Sequence, residues 1–73
     1  MAKSKPIPEG PIKNILKYFD YAHLPVELQE VSRLCCKLAY TMTDQCAHNA
    51  ELTVGLRKLL EAKDCFVRAN LDK

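Results

Sequence analysis

The sequence predicts an all-α protein, and three observations carry that prediction. Apolar residues recur every three or four positions along two long stretches, no segment alternates with period two, and three prolines and a glycine crowd the region before the first apolar-periodic residue. The architecture expected is an antiparallel helical hairpin with a short N-terminal helix, assembling as a homo-oligomer. The chain has 73 residues, room for one domain. A domain of this size buries only about 60% of the surface its unfolded form exposes, so its core is marginal and it needs a staple. At 48% hydrophobic and 27% charged, the chain is too apolar to stay disordered.

Residues 1–10 read as a flexible tail, because Pro6, Pro8, Gly10 and then Pro11 interrupt any regular element and the lysines solvate it. The helical domain is expected over residues 11–73. Pro11 suits the first turn of a short helix, where Ile12, Ile15, Leu16 and Phe19 form one apolar face. Such a helix does not persist alone and must pack on something larger.

The first long helix is expected to start at Leu24-Pro25, with Pro25 in the first helical position and Glu27 near the positive end of the dipole. From there Leu28, Val31, Cys35, Leu38 and Met42 step by three and four, and Leu34, Ala39 and Cys46 widen the stripe. One partner helix cannot cover so wide a face. A turn follows near Gln45–Asn49, and Asn49 with Glu51 favours a new helix start. The second long helix runs from about Ala50 to Asn70, with Leu52, Leu56, Leu59, Leu60, Phe66 and Val67 as its apolar positions. Gly55 inside it costs up to about 1 kcal/mol against alanine, which suggests close approach of another backbone.

Cys35, Cys36, Cys46 and Cys65 do not supply the staple. No apolar export signal follows the basic start, so the thiols are expected to stay reduced and to serve mostly as small hydrophobes. No pair has zinc-site spacing, and Cys46 with His48 is the one conceivable ligand pair, so no metal is expected. The staple is then other copies of the chain. A net charge of +2 is too weak for a DNA or RNA binder. No apolar run reaches the ~20 residues that span a bilayer.

No catalytic constellation and no cofactor are expected. Ser4 and Ser32 lack His/Asp partners, and Gly10 and Gly55 are the only glycines, so there is no phosphate loop. His23 and His48 stand at opposite ends of the first long helix, about 35 Å apart at 1.5 Å per residue. The segment Lys17–His23 concentrates Tyr18, Phe19, Tyr21 and His23 beside basic residues. Such aromatics can stack on a nucleobase for about 1–3 kcal/mol while a cation holds the phosphate, or they can plug the open end of the hairpin. Arg57, Glu61, Asp64 and Arg68 share one face of the second helix. They read as a solvated row pairing Arg57 with Glu61 and Asp64 with Arg68, unless an arginine is freed for a polyanion at a symmetry axis. Lys37 and Lys58 are lone cations on the two helices, and Thr41 and Thr43 read as polar-face residues.

The run Tyr21, His23, Leu24, Pro25, Leu28, Gln29, followed by Leu56–Lys63 and Val67-Arg68-Ala69, resembles the phage anti-CBASS cyclic-oligonucleotide sponges. It is also similar to the helical-hairpin part of an anti-Thoeris sponge. The likeness spans residues 18–70. It implies a hexamer of hairpins, working in the host cytoplasm, that sequesters cyclic di- and trinucleotides without turning them over and so blocks host anti-phage defence. In that family a tyrosine just before the first long helix stacks on a base, and a lysine about four turns later meets phosphate. Tyr21 and Lys37 hold similar places. A second pocket gathers one arginine from each of three chains around a cyclic trinucleotide, and Arg68 matches that position. Arg57, Lys58, Tyr18 and His23 are the supporting candidates. Asp64, one turn before Arg68, departs from the pattern and would neutralise it. The alternative is a small helical protein–protein adaptor or inhibitor, whose apolar stripe docks a partner helix.

Overall fold

The computed structural model describes residues 7–71, and every regular element among them is helical. Residues 1–6 of the expected tail and residues 72–73 of the expected domain lie outside the described residues. Helix α1 spans Pro11–Leu16 and passes into a 3-10 turn over Lys17–Phe19. Helix α2 spans Val26–Gln45 and α3 spans Ala50–Leu71. The short connection between them lets α3 return along α2, and its end reaches the start of α2, where Asn70 Nδ2 donates to the Glu27 carbonyl at 3.0 Å.

Pro11 opens α1 as expected, with Gly10 before it at φ 148°, a conformation that only glycine adopts at ease. Ile7, placed in the tail by its neighbours, instead packs half-buried on the core. Pro25 differs from expectation by one position. Its ψ of 148° is extended, so it caps α2 from outside and Val26 is the first helical residue. Asn49 caps α3 as its residue type predicts: its Oδ1 accepts from the Leu52 backbone N–H at 3.1 Å.

The core gathers Ile15, Leu16 and Phe19 from the N-terminal segment, Cys35 and Ala39 from α2, and Leu52 and Leu56 from α3. Phe19 is 0% exposed, so it is a structural plug. The inward face of α2 is not the stripe that its large apolar residues mark. Ser32, Cys35, Ala39 and Thr43 are buried, while Leu34, Leu38 and Met42 face solvent. Small side chains on the inner side of α2 allow two neighbours, α3 and the N-terminal segment, to approach at once. Thr43 is therefore not a polar-face residue. It is buried, and its hydroxyl donates to the Ala39 carbonyl at 2.8 Å. Gly55 meets no close approach within the chain, since nothing lies within 4 Å of where a Cβ would sit. Among the described residues no helix is long and apolar enough to cross a membrane.

Candidate functional site

The connection Asp20–Pro25 joins the 3-10 turn to α2 and carries the aromatic segment. Asp20 Oδ1 accepts from the Ala22 N–H at 3.3 Å, and the Tyr21 carbonyl accepts from the Leu24 N–H at 3.0 Å, which folds the connection into a tight turn. Two side chains hold it in place. Gln29 Nε2, one turn into α2, donates to the Leu24 carbonyl at 2.9 Å and reaches the Ala22 carbonyl at 3.4 Å. From α3, Lys63 Nζ donates to the Tyr18 carbonyl at 3.1 Å and stands 3.4 Å from Asp64 Oδ1. The lysine is nearly buried, with 12% of its side chain exposed, so this contact fixes the aromatic segment against α3.

The aromatic rings are thereby sorted. Phe19 points into the core, Tyr18 is exposed at 66%, and Tyr21 is half-buried. Arg33 lies on the edge of α2 beside Tyr21. It holds Glu30 through two bonds, Nη2 to Oε2 at 2.6 Å and Nε to Oε1 at 3.1 Å. That hydrogen bond, opposed by a little desolvation and helped by charge attraction, keeps the Glu30 carboxyl below the usual carboxylate range. The same bond to Glu30, then its charge, then the Tyr21 phenol raise the Arg33 pKa, so the guanidinium is firmly cationic. Lys37 stands exposed one turn beyond Arg33, so Gln29, Arg33 and Lys37 form an i, i+4, i+8 row along one edge of α2. The arrangement offers one half-buried phenol beside a cation, with a second cation one helical turn further along α2, which suits a planar base joined to a phosphate.

Not every candidate converges here. His23 is exposed within the connection, near the tyrosines in sequence. Arg57, Lys58 and Arg68 lie on the exposed side of α3, and not on the α2 edge that carries Arg33 and Lys37. Along α3, Arg57 and Arg68 are about 16 Å apart at 1.5 Å per residue. The expected ion-pair row does not form. Asp64 turns to Lys63, and Arg68 Nη2 rests 3.3 Å from Cys65 Sγ, so Asp64 does not neutralise Arg68. An i,i+4 pair is worth only a few tenths of a kcal/mol, and the contact to Lys63 at the helix edge replaces it.

The cysteines also differ from expectation. Cys35 is buried and Cys36 half-buried, but Cys46 and Cys65 are exposed. Burial pushes the Cys35 and Cys36 thiols up, Asp20 adds to the rise at Cys36, and Lys63 opposes it at both. The ring of His48 is engaged, with Nε2 2.9 Å from the Thr43 carbonyl at the end of α2. Among the described residues no group of three His, Cys, Asp or Glu side chains is placed to hold a metal ion.

Sequence reasoning passed over Arg33 and Lys63. Arg33 was legible as the middle of the Gln29, Arg33, Lys37 row at helical spacing. Lys63 carried no such signal, since its partner is a backbone carbonyl 45 residues away. Compared with known proteins, the chain matches no family model, no curated protein and no solved structure.

Proposed function

We propose that this chain is a non-catalytic sponge for cyclic di- and trinucleotides, with α2 and α3 acting as an antiparallel hairpin that builds a homo-oligomer. The observation that carries the reading is the aromatic–cation edge: Tyr21 stands beside Arg33, with Lys37 one turn further along α2, and Tyr18 is exposed on the segment that Gln29 and Lys63 clamp from the two long helices. In this reading Tyr21 stacks on a base, Lys37 and Arg33 hold a phosphate, and Tyr18 and His23 border the opening. Arg68, on the other helix, serves a second, trinucleotide pocket that forms only where copies meet, with Arg57 and Lys58 as further cations. The likeness to the anti-CBASS sponges supports the ligand class, the hexamer, and a role against host defence in the host cytoplasm. Sequestration asks for affinity without turnover. The separation of His23 from His48 by the length of α2 agrees with that.

Calorimetry with a panel of cyclic di- and trinucleotides tests the reading. Binding at micromolar concentration or tighter is expected, with intact ligand recovered after the protein is denatured. Tyr21→Ala should weaken dinucleotide binding by about 1–3 kcal/mol, the worth of one base–aromatic stack. Arg68→Ala should abolish the trinucleotide class alone. No binding to any member of the panel, or release of a hydrolysed product, contradicts the proposal. The second reading, a helical adaptor or inhibitor, is favoured by one observation. Leu34, Leu38, Met42 and Phe66 leave an apolar groove open to a partner helix.

A further inference from the structure

The edge of α2 that carries Arg33 and Lys37 continues past Lys37. At about 100° per residue, Arg33, Lys37, Tyr40 and Asp44 fall within about 60° of one another round the helix, so one strip of surface holds all four. Tyr40 is 44% exposed, and the site described above makes no use of it. Tyr21 stands beside Arg33 at the foot of the strip. Along the axis the order is phenol, cation, cation, phenol, carboxylate. From Arg33 to Asp44 the strip is about 16 Å long, and Tyr40 lies about 4.5 Å beyond Lys37.

Asp44 is the member that helix stability does not explain. It sits in the last turn of α2, where the carbonyl end of the helix repels a carboxylate, and no basic residue in that turn offsets it. Among the described residues neither Asp44 nor Lys37, two turns before it, forms an ion pair. A charge that breaks a local rule with no structural return is a mark of a functional position. We propose that this strip selects guanine: Tyr40 stacks on the second base of a cyclic dinucleotide, and the Asp44 carboxylate accepts from that base's N1–H and amino group. The inference rests on the nucleotide reading and assigns the base that it leaves open.

The chemistry of the carboxylate decides among the bases. An ionised Asp44 only accepts, and its two oxygens are spaced for two parallel donors. Guanine presents such a pair on its Watson–Crick edge, an N–H beside an amino group. Adenine sets the lone pair of N1 beside its amino group, so the same carboxylate meets one donor and one repelling acceptor. A base lying on the Tyr40 ring has its edge within one turn of Asp44, about 6 Å along the axis. Arg33 and Lys37 stand between the two phenols, where the phosphates that join two stacked bases lie.

Calorimetry compares cyclic di-GMP, cyclic GMP–AMP and cyclic di-AMP on the native chain, Asp44→Asn, Tyr40→Ala and Tyr40→Phe, with helicity followed by circular dichroism. The native chain should bind the two guanine-bearing ligands at least about tenfold more tightly than cyclic di-AMP, the worth of one bidentate base contact. Asp44→Asn should erase most of that preference while cyclic di-AMP binds at least as tightly as before. Tyr40→Ala should weaken the guanine-bearing ligands about five- to 150-fold, and Tyr40→Phe, which keeps the ring, should stay within about twofold of native. Tyr40 and Asp44 are both exposed, so these variants remove no core packing, and the native ranking decides alone if one fails to fold. Equal affinity for the three ligands, a preference for adenine, an unaltered preference in a helical Asp44→Asn chain, or undiminished binding by Tyr40→Ala overturns the guanine assignment and leaves the nucleotide reading in place. Binding of none of the three removes the dinucleotide site itself, and the assignment with it.

Discussion

The hydroxyl of Ser32 is buried with no hydrogen-bond partner, in the middle of the helix layer. An unsatisfied buried group costs about 1–3 kcal/mol, so Ser32→Ala should stabilise the chain by about 1 kcal/mol. Thermal melts at matched concentration check this, and a destabilised variant contradicts it. The buried thiols give a pH dependence of definite sign. Cys35 and Cys36 have folded pKa values raised by burial, so their contribution is complete below the unfolded thiol pKa and fades as pH rises through the folded value. Stability should therefore begin to fall above about pH 8.5, and Cys35→Ala should flatten that fall. Alkylation followed by mass spectrometry should modify Cys46 and Cys65 first and Cys35 last. At the aromatic edge, Arg33 is committed to Glu30 by two hydrogen bonds. Glu30→Gln should free it and tighten cyclic-dinucleotide binding severalfold, measured by calorimetry. Unchanged affinity would remove Arg33 from the phosphate site.

At the scale of elements, Asn49 caps α3 through Leu52, so Asn49→Ala should cost about 1 kcal/mol in chemical denaturation. The helices themselves were legible. Pro11 and Asn49 marked their starts, and spacing of three and four marked α2 and α3 to within a residue or two at each end. The facing of α2 was not legible. Hydrophobicity weights Leu34, Leu38 and Met42 above Ser32, Ala39 and Thr43, yet the small residues face inward. Periodicity reports that a stripe exists. Which part of a wide stripe is covered depends on how closely neighbours can approach, and that is a property of packing. The site divided along the same line. Tyr18 and Tyr21 were visible as an aromatic cluster, and Phe19 was equally visible but belongs to the core. The hold of Lys63 on the Tyr18 carbonyl and the shift of Asp64 from Arg68 to Lys63 arise from contacts remote in sequence or from rotamer choice.

For the molecule as a whole, a small inward core and a large apolar outer face are two consequences of one choice. Ser32, Cys35, Ala39 and Thr43 let three segments meet closely, which turns the bulkier Leu34, Leu38 and Met42 outward. In the sponge reading, a chain of this size with so little buried gains stability from assembly, and mass action would then tie its melting temperature to concentration. Nucleotide binding and assembly are linked in the sponge reading, because Arg68 lies on a different helix from Lys37 and its pocket is completed by neighbouring copies. Sedimentation velocity of the protein with a cyclic trinucleotide, read at the absorbance of the base, follows both at once. The account predicts that the ligand travels with a particle several times heavier than the 8.3 kDa chain. Nucleotide left at the rate of free solute, above a protein boundary at 8.3 kDa, would contradict it.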